Sequence, residues 1–187
     1  MTTSVSIKSV TLRYSPEEDR LLLRCQSDEG VYPTWWTLRL WQRAFPVLIQ
    51  CLKKQVVTSN DAATEFYQNL AQQKADEALM KDTNRAKSEK VSPSGVEEDQ
   101  PALIDTQLSA PILCAKVEFA FKKNSLTMMM FGVNETLRLD VQMSYQQLRQ
   151  FLLAQSRCLK ASEWPRSFPN WLLPEQNASS SVGASLH

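Results

Sequence analysis

The sequence holds a single histidine, and it is the last residue, His187. Ser-His-Asp machinery, Cys-His pairs and histidine metal sites all need an imidazole held in place by packed neighbours. A terminal histidine leaves those chemistries without their central group. Glycine is also scarce: the four present include no G-x-G-x-x-G or G-x-x-x-x-G-K spacing, so no phosphate-cradling loop is recognisable. Cys25, Cys51, Cys114 and Cys158 are widely spaced, without a C-x-x-C. Three of them fall inside apolar segments, a pattern that reads as buried free thiols rather than a metal or redox site. No apolar run approaches the roughly 18 residues of a membrane span, and the stretch from Met1 to Ser6 has neither the basic start nor the apolar core of a signal peptide. The 21 basic and 20 acidic residues leave a net charge of +1, which provides no overall attraction for phosphate backbones or anionic bilayers. These absences set the expectation of a cytoplasmic protein, without cofactor or membrane anchor.

Carboxylate catalysis needs two acids converging in a cleft. The acids here cluster in turns instead, as Glu17-Glu18-Asp19 and Glu97-Glu98-Asp99. Asp140 is the exception, lying within a strand pattern beside Arg138 on the same face, and the two read as a solvent-facing charge pair. The expectation is a protein that is not an enzyme.

What the sequence does contain is strongly patterned. Val10, Leu12 and Tyr14 alternate with Thr11 and Arg13, giving a first strand over 7–14. A turn at Ser15-Pro16-Glu17-Glu18-Asp19 leads into a return strand over 20–25. A third strand spans 31–36, where Pro33 suggests a sheet edge. Thr37 then caps a helix whose apolar stripe is Leu38, Trp41, Phe45, Leu48 and Leu52. Pro46 interrupts that stripe and predicts a kink near 42–45 or two shorter helices. Residues 62–81 are rich in good helix formers, with Phe66, Leu70 and Ala78 as a narrow apolar stripe.

The same order of elements recurs after Pro111. Strands are expected over 112–121, 126–131 and 135–143, then a helix opened by a Ser144/Gln147 capping box with Tyr145, Leu148, Phe151, Leu152 and Leu159 along one side. Aligning Cys51 with Cys158 matches Val10 to Val117, Leu12 to Phe119 and Tyr14 to Phe121. It also matches Leu21 and Leu23 to Met128 and Met130, and Thr37 to Ser144, without a gap. Each half, at roughly 50 residues, buries too little surface alone, so the halves are expected to share one core. The expected fold is therefore α+β: internally duplicated βββα units with pseudo-twofold symmetry, meander sheets packed with helices, plus an extra linker helix. The expected divisions are a first unit over 1–58, a connecting helix over 59–81 and a flexible linker over 82–110. A second unit with a C-terminal strap follows over 111–174, then a disordered tail over 175–187.

Two surfaces stand out as interaction candidates. Trp35-Trp36 places one indole on each strand face; with Trp36 in the core, Trp35 faces outward as an interface anchor, unless the strap from Trp164 to Leu173 covers it. Met128 to Phe131 reads as a strand covered on both faces, and Leu22, Met129 and Phe131 then join Trp35 as an outer face open to a protein partner or a second copy. Arg39, Arg43, Lys53 and Lys54 form a basic side on the first helix, with Lys116, Lys122 and Lys123 in the second unit. Exposed aromatics and cations together suit single-stranded nucleic acid, but Glu118 and Asp140 interrupt the strand face. The leading expectation is a non-catalytic interaction or assembly/adaptor protein that forms a homodimer or binds a protein partner, with single-stranded nucleic-acid binding as the disfavoured alternative.

Overall fold

A computed structural model describes residues 2–56, 61–88, 110–165 and 168–173. The expected tail over 175–187 and most of the expected linker lie outside the described residues. Seven strands form one mixed sheet: β1 (Thr3–Ile7), β2 (Ser9–Ser15), β3 (Arg20–Gln26), β4 (Val31–Trp36), β5 (Ile112–Phe121), β6 (Ser125–Gly132) and β7 (Leu137–Ser144). Among the described residues three α-helices accompany them: α1 (Leu38–Lys54), α2 (Asp61–Ser88) and α3 (Tyr145–Cys158). The fold class is α+β.

The strand order is β1-β7-β6-β5-β4-β3-β2, so the first two strands of the chain stand at opposite edges. Only Lys8 separates them. Flat, seven strands at about 4.8 Å spacing would hold these edges roughly 29 Å apart, whereas one residue spans at most about 3.6 Å. The sheet is therefore curled until its edges nearly meet. Thr3 to Ile7 run parallel to Leu137 to Val141. The chain then crosses, Lys8 N donating to Gln26 O at 2.8 Å, and continues antiparallel to β3 from Ser9 onward. The strand expected over 7–14 corresponds to β2, with Ile7 belonging instead to β1, a separate strand that begins in residues whose sequence carries little apolar weight.

The meanders form as the alternation predicts, β2-β3-β4 and β5-β6-β7, joined by a short parallel pairing of Thr34 with Ile112 and Trp35 with Leu113. β4 is consequently an interior strand rather than an edge. Pro33 is tolerated because the β5 pairing begins one residue beyond it, where its missing N–H is not required. The register differs from the gap-free alignment. Tyr14 pairs with Leu21 and Leu21 with Trp36; in the second meander Phe121 pairs with Leu126 and Leu126 with Met143. The position of Leu21 thus corresponds to Leu126 rather than Met128. The first hairpin turn holds two more residues than the second.

Both α1 and α3 start where a strand ends on a side-chain cap. Thr37 Oγ1 accepts from Leu40 N at 3.2 Å, and Ser144 and Gln147 make the reciprocal capping box. α1 is one continuous helix through Pro46; burial of Phe45, Leu48, Ile49 and Leu52 outweighs the roughly 3 kcal/mol that an interior proline costs. These helices and the strands share one core, with Leu21, Leu23, Trp36, Met128, Met130, Leu139, Leu148 and Leu152 almost completely buried. Trp36 sits at its centre, donating from Nε1 to Met130 S at 3.3 Å and meeting Phe151 edge-on.

The C-terminal strap closes the open end of this core. Trp164 Nε1 donates to Asp19 Oδ1 at 2.7 Å, and Tyr14 donates to the same oxygen. Phe168 meets Trp41 and Phe45, while Trp171 and Leu172 are buried. α2 continues to Ser88, seven residues into the expected linker. Its buried face is Gln68, Gln72 and Ala75, while Phe66 and Leu70 remain exposed. The cause is polar: Arg149 of α3 is buried and donates to the side-chain and backbone oxygens of Gln68, while Gln68 Nε2 donates to Leu52 O at 2.9 Å. Arg149 lies over the Trp171 ring, and burial lowers its pKa to about 10.

Trp36→Ala removes the central side chain and its ring contact. It is expected to cost about 3–5 kcal/mol of unfolding free energy, measured by urea denaturation; a loss under about 1 kcal/mol would contradict this placement of the core.

Candidate interaction surfaces

Alternation along each strand sends every second side chain to the face away from the core. On β3 and β4 this puts Leu22 and Trp35 directly opposite each other, and Trp35 is also opposite Leu113 of β5. Leu22 and Trp35 are half-buried and Leu113 is exposed. They form an apolar row across three strands, with Arg13 opposite Leu22 at its β2 end. The strap's ring contacts are with Tyr14, Trp41, Phe45 and Arg149, on the core side, so it is not these contacts that cover Trp35. Leu113 escaped the sequence reading although the run Ile112-Leu113-Cys114 requires one apolar side chain to face outward.

Met129 and Phe131 lie on the same side of the sheet but in different company. Met129 stands between Glu118 and Asp140, and Phe131 between Lys116 and Arg138. Lys116 is ion-paired to Glu118 at 2.6 Å and lies over the Phe131 ring. Arg138 is paired to Asp140 at 2.8 Å, and Ser4 of β1 bridges both through its hydroxyl. The Arg138–Asp140 pair is therefore a same-strand pair partly covered by β1, rather than a free solvent-facing one. A β-bulge between Cys114 and Lys116 separates this charged belt from the Trp35 row. The four expected interface residues thus divide into an apolar pair and a pair held among ion pairs.

Arg39, Arg43, Lys53 and Lys54 all lie on the exposed side of α1. No aspartate or glutamate occurs between Glu29 and Asp61, so nothing on this helix offsets them. From Arg39 to Lys54 the helix rises about 22 Å, which places two cations at each end instead of one patch. At the Lys54 end, α1, β5 and α3 enclose an open cavity of about 490 Å³ with apolar walls. A second opening, of about 480 Å³, marks the seam of the curled sheet, where β2 and β7 diverge beyond Lys8 and α3 forms the floor.

Burial governs the thiols. It pushes the Cys25 pKa up to about 12 and that of Cys114 to about 11, and it also raises Cys51 and Cys158. Such thiols are almost wholly protonated at neutral pH and make poor nucleophiles. Among the described residues, no three His, Cys, Asp or Glu side chains converge as metal ligands, and no helix is long and apolar enough to cross a membrane.

At pH 8 the native thiols are expected to react with an aromatic disulfide reagent far more slowly than in denaturant, where all four should titrate. A rapidly reacting native thiol would identify an activated cysteine that this geometry does not contain. No protein-family model, curated protein or solved structure matches this chain.

Proposed function

We propose that the protein is a non-catalytic interaction or assembly protein that binds a second copy of itself, or another protein, on the outer sheet face centred on Trp35. The observation that carries this reading is the outward-facing Leu22–Trp35–Leu113 row, in which Leu22 and Trp35 are half-buried and Leu113 is exposed. A large indole held between two aliphatic side chains on a rigid sheet is the kind of anchor that dominates binding energy at interfaces. Val133, 60% exposed just beyond β6, adds apolar area on the Leu113 side. The four free cysteines suit a reducing compartment, in keeping with action in the cytoplasm.

We further propose that the chain arose by duplication of a βββα unit. In support, the two meanders share their pairing geometry, both helices start from a hydroxyl cap, and the parallel step from β4 to β5 has its counterpart in the parallel step from β7 to β1.

Light scattering behind size exclusion, at low salt and at about 1 M salt where surface charges are screened, tests the assembly reading. The expected result is a dimer that survives salt and is converted to monomer by Trp35→Glu with the fold intact. A strictly monomeric chain that also retains no protein on co-purification from its host would overturn it.

A second reading, single-stranded nucleic-acid binding, is favoured by one observation, the acid-free exposed side of α1. It requires that affinity for an oligothymidylate fall steeply with salt and drop at least about tenfold in the Arg39→Glu, Arg43→Glu double variant. Absence of binding at low salt would remove it.

A further inference from the structure

We propose that the cavity at the C-terminal end of α1 is a binding site for a small single-chain amphiphile with an anionic head group. Its volume, about 490 Å³, lies within the roughly 300–1,000 Å³ of small-molecule sites. Pro46, Val47, Cys51 and Phe121 supply apolar walls, and Lys54 and Lys122 stand at its edge. Val47 is 40% exposed and Phe121 50% exposed, and both line this one cavity. An apolar tail would cover both.

The head group follows from charge. Among the described residues, Lys54 and Lys122 have no ion-pair partner and no carboxylate lines the cavity. Lys53 and Lys123 adjoin them in sequence, giving two lysine pairs from separate elements at one end of the molecule. The lysines of α1 are not occupied in capping their own helix. Leu52 O already accepts from Gln55 N and Gln68 Nε2, and Lys53 O accepts from Val56 N. They are available to an anion.

The site is preformed. Tyr145 donates to Lys122 O at 2.6 Å, tying the β5–β6 turn to the start of α3, and Phe121 stacks on Phe119. Cys51 contributes surface only, because burial raises its thiol pKa; the ligand is held without a covalent bond.

The test uses the full chain with decanoate as the probe, in titration calorimetry and in displacement of anilinonaphthalene sulfonate fluorescence. One saturable site per chain is expected, with decanol at least about tenfold weaker. Lys54→Glu and Lys122→Glu should each weaken decanoate by about tenfold, and Phe121→Asp should do the same by breaking the wall, with thermal unfolding unchanged because all three side chains are exposed. Three outcomes overturn the proposal: no saturable decanoate binding, equal affinity for decanoate and decanol, or lysine variants that bind as the parent does. Sedimentation with phosphatidylglycerol vesicles in the absence of decanoate binding also overturns it, in favour of a membrane surface as the source of the anion.

Discussion

Closure of the sheet through Lys8 is the constraint on which the rest of the structure depends. One extended segment serves two strands, pairing first with β7 and then with β3. Because a single residue separates the pairings, the seven strands must curl until their edges approach. The curl gives the core its shape: Val5 and Ile7 from one edge and Leu21, Leu23 and Cys25 near the other join one buried cluster with the helices. It also leaves a seam where β2 and β7 part, with the side of α3 exposed between them.

The inner face of the sheet is occupied by α1, α3 and the strap, which leaves its outer face as the exterior. That exterior is differentiated. The β3–β5 side carries an apolar row, the β5–β7 side carries ion pairs that hold Met129 and Phe131 among them, and α1 presents cations without acids. Neighbouring strands of one sheet thus offer surfaces of different chemistry, and the bulge at Cys114/Lys116 marks the change. The apolar row and the acid-free helix are the surfaces on which the proposed recognition rests, while burial raises the thiol pKa values.

Much of the fold is legible in residue order. Alternation at Val10, Leu12 and Tyr14, or at Leu137, Leu139, Val141 and Met143, identifies strands because adjacent side chains face opposite ways. Thr37 and Ser144 identify helix starts because a hydroxyl before an apolar stripe satisfies orphan backbone donors. The register was not legible for a related reason. A slip of one residue exchanges the faces, but a slip of two restores them, so Leu21 matches Leu126 and Met128 equally well by pattern.

The sequence by itself determined the local elements, the helix caps and the outward placement of Trp35, since each depends on residues within a turn or a strand of one another. Tertiary structure alone decided the parallel pairing of Thr3 to Ile7 with β7, the interior position of β4, the polar clamp of Arg149 on Gln68 and the meeting of Lys54 with Lys122 around one cavity. These join residues far apart in the chain, and neither hydrophobic period nor capping chemistry carries information about which distant partner a strand edge or a cation will meet.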